Sequence, residues 1–351
     1  MITSTDSLLK DHRWFLDDID FTRRELIFAH AGEDEISRQA FLDSRWQHED
    51  AGIARVAAET IVDAMPPTQI PALHFIWHTS FCCSTLVARA LDRHSHSLSL
   101  REPRVLTALA DALRNSALAN GQLPPRTAEA VFALLARRPA PQCRITVKPS
   151  NFANILVQGA AKRTSGKMLF LYSDLPSFLV SIVKGGVQQS RYVRRLFGDI
   201  AMDLGQPLPW SGADLLRMSD LEIAALTWHR QIAEFRRSWP MLGSERAASL
   251  DCEAFLDDPA GVLAAIDAYF GLELGAAHIQ SVVDCGMLER HAKQADQAYS
   301  AQLRRQEDEA IRRQLGSTLD KVVAWSYRNC PETPEGPPLS NPLVPRLCAV
   351  F

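Results

Sequence analysis

"PALHFIWHTSFCCSTLVARALDRH", residues 71 to 94, decides the fold. "ALHFIW" is a continuous apolar run of strand length, whereas "STLVARALD" repeats its apolar residues at helical spacing. The polar turn His78-Thr79-Ser80-Phe81-Cys82-Cys83 joins them. A strand that runs through a tight turn into a helix aims the first backbone N–H groups of the helix at the space above the strand end, which is how a backbone holds a phosphate. Ser84 or Ser80 is the expected N-cap. A phosphate loop ordinarily adds glycine for close approach and a cation for charge. Here Phe81 and Cys83 stand in those places. If the turn needs positive φ at position 83, cysteine costs about 1–2 kcal/mol there.

Working outward, the same alternation continues. "SLSL", "CRITVKPS" and "KMLFLYS" read as further strands. "VLTALADALRNSALA", "RTAEAVFALLARR", "NFANILVQGAAKR" and "LPSFLVSIVKGG" read as the helices between and after them. This βαβα order predicts an α/β fold, a parallel sheet flanked by helices. "LEIAALTWHRQIAEFRRSW" is an amphipathic helix, "AASLDCEAFLDDPAGVLAAIDAYFGLEL" reads as strand, turn and helix, and "SAQLRRQEDEAIRRQLGSTLDKVVAWSYR" is helical. Upstream, "DEISRQAFLDSRW" and "EDAGIARVAAETIVDAM" have helix-like spacing, and "PPTQIP" punctuates the chain after them. The expected organisation is a helical N-terminal appendage over 1–68, the α/β domain over 69–330, and a proline-rich irregular tail over 331–351. No internal repeat is visible.

The bulk properties set limits. The 351 residues suffice for one large domain with an appendage. Apolar residues at 46% and charged residues at 23% are ordinary for a globular protein. A net charge of −3 argues against a general binder of nucleic acid. No apolar run approaches the ~18 residues of a membrane span, and the N-terminus lacks the pattern of a secretory signal. The seven cysteines, at 82, 83, 143, 252, 285, 330 and 348, are odd in number and form no CxxC pair. That usage fits a cytoplasmic protein without a disulfide framework or a zinc site. "RHSH" (Arg93 to His96) lacks a spaced third metal ligand, and the vicinal Cys82-Cys83 pair reads as buried thiols rather than a redox couple.

The turn and its surroundings resemble the sulfotransferases, whose fold belongs to the P-loop NTPase superfamily. Their loop commonly runs Pro-Arg-Ser-Gly-Ser/Thr-Thr-Leu into the helix. Ser84-Thr85-Leu86 matches its end, and residues 80–83 do not match its beginning. "ALDRHSHSLSLREPRVL" is similar to the tyrosylprotein sulfotransferases in its Asp92, His94 and Glu102-Pro103-Arg104-Val105. "ITVKPSNFANIL" resembles their Lys-x-Pro strand end, and "KMLFLYSDLPSFLVSI" their segment carrying Arg-Asp and a later Ser. "SLDCEAFLDDPAGVLAAIDAYFGLEL" resembles a further family segment, so the likeness covers roughly residues 70 to 330.

The resemblance implies a donor, PAPS, no metal, and an acceptor hydroxyl or amine on a small molecule or peptide. It implies that backbone N–H groups of residues 82–86, Cys82 and Cys83 among them, together with the hydroxyls of Ser84 and Thr85, hold the donor's 5′-phosphate. It places Ser173 and Ser181 at the 3′-phosphate, with Ser173 where the family has arginine. Arg290 and Lys293 resemble the late basic residues that close over the nucleotide. Glu102 takes the place of the catalytic base and Lys148 that of the lysine on the transferring group. Position supports Glu102, because open α/β sheets bind ligands at the carboxyl ends of their strands. The plainer alternatives are a salt bridge of Glu102 to Arg101 or Arg104, a solvated strand-end Lys148, and a Ser84 that merely caps a helix. Arg104, Arg191, Arg194 and Arg195 are the cations available to replace the missing ones. The competing expectation is a fold relative that has lost PAPS contacts and serves as a binding or regulatory partner. A P-loop kinase or NTPase is the poorer third reading, because GxxxxGK[ST] is absent and no acidic strand end stands where a magnesium ligand is needed.

Overall fold

The computed structural model describes residues 4–47, 52–66, 70–115, 123–205, 207–286, 290–291, 294–298 and 301–345. Its N-terminal segment differs from the helical expectation. After the short α1 (Thr5–Lys10), β1 (Trp14–Asp20) and β2 (Glu25–His30) pair antiparallel; α2 (Glu33–Arg38) follows, then β3 (Ile53–Ala57) on the other side of β2, and α3 (Ala58–Ala64). Only two short pieces of the predicted helical stretches are helical, at α2 and α3. Pairing overrides local spacing here, since a strand takes its energy from cross-strand neighbours that no local window contains. A bulge between Leu16 and Asp18 in β1 breaks the alternation, which leaves Asp17 1% exposed.

From residue 74 onward the structure follows the expected alternation. The elements are β4 (His74–His78), α4 (Ser84–Ala90), β5 (Ser97–Arg101), α5 (Arg104–Arg114), α6 (Thr127–Leu135), β6 (Arg144–Lys148), a 3-10 stretch (Asn151–Leu156) with α7 (Val157–Arg163), and β7 (Met168–Tyr172). Then come α8 (Leu175–Ile200), α9 (Gly212–Arg217), α10 (Asp220–Arg246), β8 (Ala247–Asp251), α11 (Cys252–Asp257), α12 (Pro259–Phe270), α13 (Ala276–Asp284), the β9 (Arg290–His291) and β10 (Gln294–Ala298) hairpin, and α14 (Ala301–Asn329). Strands β4 to β8 form a parallel sheet of five in the order β5-β6-β4-β7-β8. The chain enters in the middle at β4, goes out to one edge at β5, fills the gap between them with β6, then crosses to the other side for β7 and β8. That reversal opens a crevice at the carboxyl ends of the strands.

Two apolar layers sandwich the sheet. One joins Phe75, Trp77, Leu98, Leu100 and Phe170 to α5, α6, α8 and α10, and it continues into Phe15, Leu16, Leu26 and Phe28 of the N-terminal sheet. The other packs Ile76, Leu169, Leu171 and Leu250 against α4, α11 and α12. Phe75 and Trp77, two apart on one face of β4, stack at 5.1 Å between ring centres. Burial of each such side chain contributes about 1.5–3 kcal/mol. The proline-rich tail is irregular, yet part of it is tied down: Ser249 of β8 donates its N–H to Asn341 O at 3.0 Å and accepts from Leu343 N–H at 2.7 Å. Among the described residues no helix is long and apolar enough to cross a membrane.

Candidate active site

The loop after β4 holds Ser80, Phe81 and Cys83 at φ of 73°, 52° and 59°. Three side-chain-bearing residues in left-handed backbone cost on the order of 3–6 kcal/mol, and the surroundings must hold them there. His78 does part of this. Its Nδ1 accepts from Ser80 N–H at 3.1 Å and its Nε2–H donates to Pro149 O at 3.0 Å, which fixes the neutral tautomer. A buried amide network does the rest. Asn151 Nδ2 donates to Ser80 Oγ at 2.5 Å and to Gln231 Oε1 at 3.1 Å; Gln231 Nε2 donates to Thr79 O at 3.2 Å; Asn154 Nδ2 donates to His78 O at 3.2 Å. Tyr192 OH donates to Asn151 Oδ1 at 2.7 Å and lies 3.0 Å from Ser80 Oγ, and burial pushes its phenol well above the usual range. The N-cap of α4 is Cys83, not either serine, and it makes no side-chain cap. Ser84 and Thr85 are buried in the first turn.

Phe81 is built into the wall, with its ring edge-on to Phe178 at 5.5 Å and Tyr192 at 5.8 Å. Cys82 is fully buried against Leu171 O, and burial pushes its thiol up to about 11. Cys252 lies in the same apolar layer, Cys83 packs against that layer, and burial likewise raises the Cys252 thiol. Such thiols are inert at neutral pH.

Glu102 and Lys148 meet. Glu102 follows β5 with φ 54° and donates its N–H to Lys148 O at 2.6 Å, while Lys148 Nζ donates to Glu102 Oε1. The lysine side chain is 1% exposed and the glutamate 15%. Glu102 is in a salt bridge, but not with the arginines expected: Arg101 is fully buried on Asp92 and on the carbonyls of Ile36, Ser37 and Gln39, and Lys148 takes the carboxylate instead of standing in solvent. Arg45, which the sequence left inside the appendage, reaches Glu102 Oε2 at 3.4 Å and lies 3.5 Å over the ring of Phe41.

The other expected residues scatter. Arg104 binds Asp17 and, at 3.3 Å, Asp18 of β1. Arg194 binds Asp220 at 2.5 Å and Met218 O at 2.7 Å. Arg195 sits 5.4 Å over Phe152, and Arg191 is exposed on α8. Ser173 is fully buried with an unpartnered hydroxyl, and its carbonyl accepts from Trp228 Nε1 at 2.9 Å. Ser181 spends its hydroxyl on Ser177 O at 3.0 Å. Arg312 of α14, unremarked in the sequence, donates to Ser177 Oγ at 3.1 Å in the first turn of α8. Arg290 falls in β9, and Lys293 lies outside the described residues. Among the described residues no cluster of three His, Cys, Asp or Glu could hold a metal ion.

No family model and no curated protein matches the chain. Solved structures similar to it include a sulfotransferase domain from the curacin biosynthetic pathway, at 14% identity over 71% of this chain and 99% of that one, TM-score 0.41. A sulfotransferase from Alicyclobacillus acidocaldarius is similar at 14% identity over 73% and 94%, TM-score 0.38. Another, from Mycobacterium avium, is similar at 13% over 74% and 78%, TM-score 0.38. Identities and TM-scores this low assign no activity to this chain.

Proposed function

We propose that the chain transfers a sulfuryl group from PAPS to a hydroxyl or amine. The observation that carries this reading is the Glu102–Lys148 pair, buried at the carboxyl ends of adjacent strands β5 and β6, with β4 and its loop next in the sheet. The acceptor oxygen or nitrogen forms a bond to sulfur as the bond from sulfur to the phosphate oxygen breaks, and adenosine 3′,5′-bisphosphate leaves. Glu102 receives the acceptor's proton, and Lys148 faces the charge that develops on the transferring group. A carboxylate offers about four lone-pair positions, so the Lys148 contact leaves room on Glu102 for an acceptor hydrogen. Backbone N–H groups of α4's first turn, with Ser84 and Thr85, would hold the 5′-phosphate, and Ser181, with Arg312 on Ser177 one turn earlier in α8, would face the second phosphate.

The fit is partial. Phe81 and Ser173 bring no charge to the two places where cations are expected, and the ring of Phe81 is fixed by packing. That packing favours a second reading, in which the chain keeps the fold as a binding or regulatory partner. Calorimetric titration with adenosine 3′,5′-bisphosphate separates the two. Micromolar binding that weakens in Lys148→Met supports transfer. No heat up to millimolar ligand leaves the second reading.

A further inference from the structure

The segment Gln39 to Trp46 crosses the carboxyl end of β5 as a strap. Leu42, fully buried, donates its N–H to Arg101 O at 2.7 Å and accepts from Arg104 N–H at 2.9 Å. These two bonds lie on either side of Glu102-Pro103. Upstream, the buried guanidinium of Arg101 takes the Gln39 carbonyl at 2.8 Å, which anchors the start of the strap. Trp46, 4% exposed, anchors its end by packing with Phe15 at 5.7 Å between ring centres.

Two side chains of this strap reach the Glu102–Lys148 pair. Phe41, 6% exposed, lies with its ring centre 3.5 Å from the Arg45 guanidinium and 5.7 Å from the Lys148 ammonium. Arg45 is aimed from its own strap: Asp43 takes its Nε at 2.8 Å, so the fork has little freedom. Its Nη2 then points at Glu102 Oε2. Each oxygen of Glu102 thus faces a different cation, Lys148 on one and Arg45 on the other.

We propose that Arg45 is a positioning residue for Glu102: it fixes the rotation of the carboxylate, and the carboxylate so held stays on Lys148 and keeps it covered. What Glu102 does once positioned rests on the transfer reading; the positioning itself does not. The N-terminal segment is then part of the active site, and an acceptor reaches Glu102 by passing Arg45.

The test uses the full chain and acetic anhydride as a probe of lysine amines, read at Lys148 by peptide mass spectrometry. In the unaltered protein Lys148 is protected. Arg45→Gln should raise its labelling rate about fivefold, the factor for loss of a partly exposed ion pair worth about 1 kcal/mol. Arg45→Lys, which restores a cation, should return the rate to within about twofold. Glu102→Gln should label Lys148 at least as fast as Arg45→Gln, and the double variant no faster than Glu102→Gln alone, because Arg45 acts through Glu102. Lys10, exposed on α1, reports general unfolding and should label equally in all. An unchanged rate in Arg45→Gln, a failed rescue by lysine, or additive effects in the double variant would overturn the proposal. Titration of the same samples with adenosine 3′,5′-bisphosphate reads the transfer reading separately, so the labelling still decides the role of Arg45 in a protein that binds no nucleotide.

Discussion

Replacing Glu102 by Gln removes the only carboxylate seen on the Lys148 ammonium among the described residues. Lys148 is 1% exposed, so its charge has no water to turn to, and breaking a buried pair from one side costs about 3–5 kcal/mol. Glu102 is 15% exposed, which places the loss near the low end, about 3 kcal/mol. Unfolding entropy of about 2.1 cal/mol/K per residue gives roughly 0.7 kcal/mol/K for this chain, so the melting temperature should fall by about 4 °C. Lys148→Met costs less, about 1–2 kcal/mol, because Glu102 keeps Arg45 and partial access to water. The double variant should return to within about 1 kcal/mol of the starting protein, since neither charge is then left alone. Urea unfolding of the four proteins gives the cycle directly. If both single variants lie within about 0.5 kcal/mol of the parent, or the double variant shows the plain sum, the pair is not buried as described.

Other expectations are independent of the pair. Burial raises the Glu234 carboxyl from 4.5 to about 8, with Asp203 nearby adding to the rise and Arg237 opposing it. A carboxyl whose folded pKa is raised contributes its stability at low pH and loses it as pH climbs from about 4.5 through about 8; Glu234→Gln should therefore flatten the fall in melting temperature between pH 5 and pH 9, and an unaltered slope would refute this. The ideal Cβ of an alanine at Gly166 would lie 1.8 Å from Leu73 O, a backbone atom that cannot yield; Gly166→Ala should cost more than about 2 kcal/mol by thermal melting. At Cys83, φ 59° favours glycine, so Cys83→Gly should stay within about 1 kcal/mol of the parent while Cys83→Val loses about 2 kcal/mol or more. In a timed thiol titration the exposed Cys285 should react before Cys82 and Cys252, which become reactive only on unfolding.

The strand-turn-helix at 74–90 was legible because a continuous apolar run gives way to helical spacing at one point, and both signals are local. Glu102 and Lys148 were legible as strand-end residues, but their mutual contact was not, since it spans 46 positions. Arg45 was invisible for the same reason, 57 positions from Glu102 and inside a segment read as helical. The N-terminal sheet was missed because β1 carries Asp17, Asp18 and Asp20, which dilute the apolar alternation. Asp17 is buried where Arg104 arrives to meet it. Two of the four candidate cations were misjudged in a like manner: Arg104 and Arg194 were counted as available, and each has an acidic partner in the fold.

The tail along β8 has a consequence for synthesis on the ribosome. Ser249 waits for the backbone of Asn341 and Leu343, about 90 positions further along the chain, before its outer edge is matched. At about 5–20 residues per second, that interval lasts roughly 5 to 18 seconds. Throughout it, a nascent chain shows an unmatched backbone edge to its neighbours on the same message. Pausing within that stretch should promote co-aggregation of nascent chains, and a stop codon inside it should leave a released chain with the same open edge.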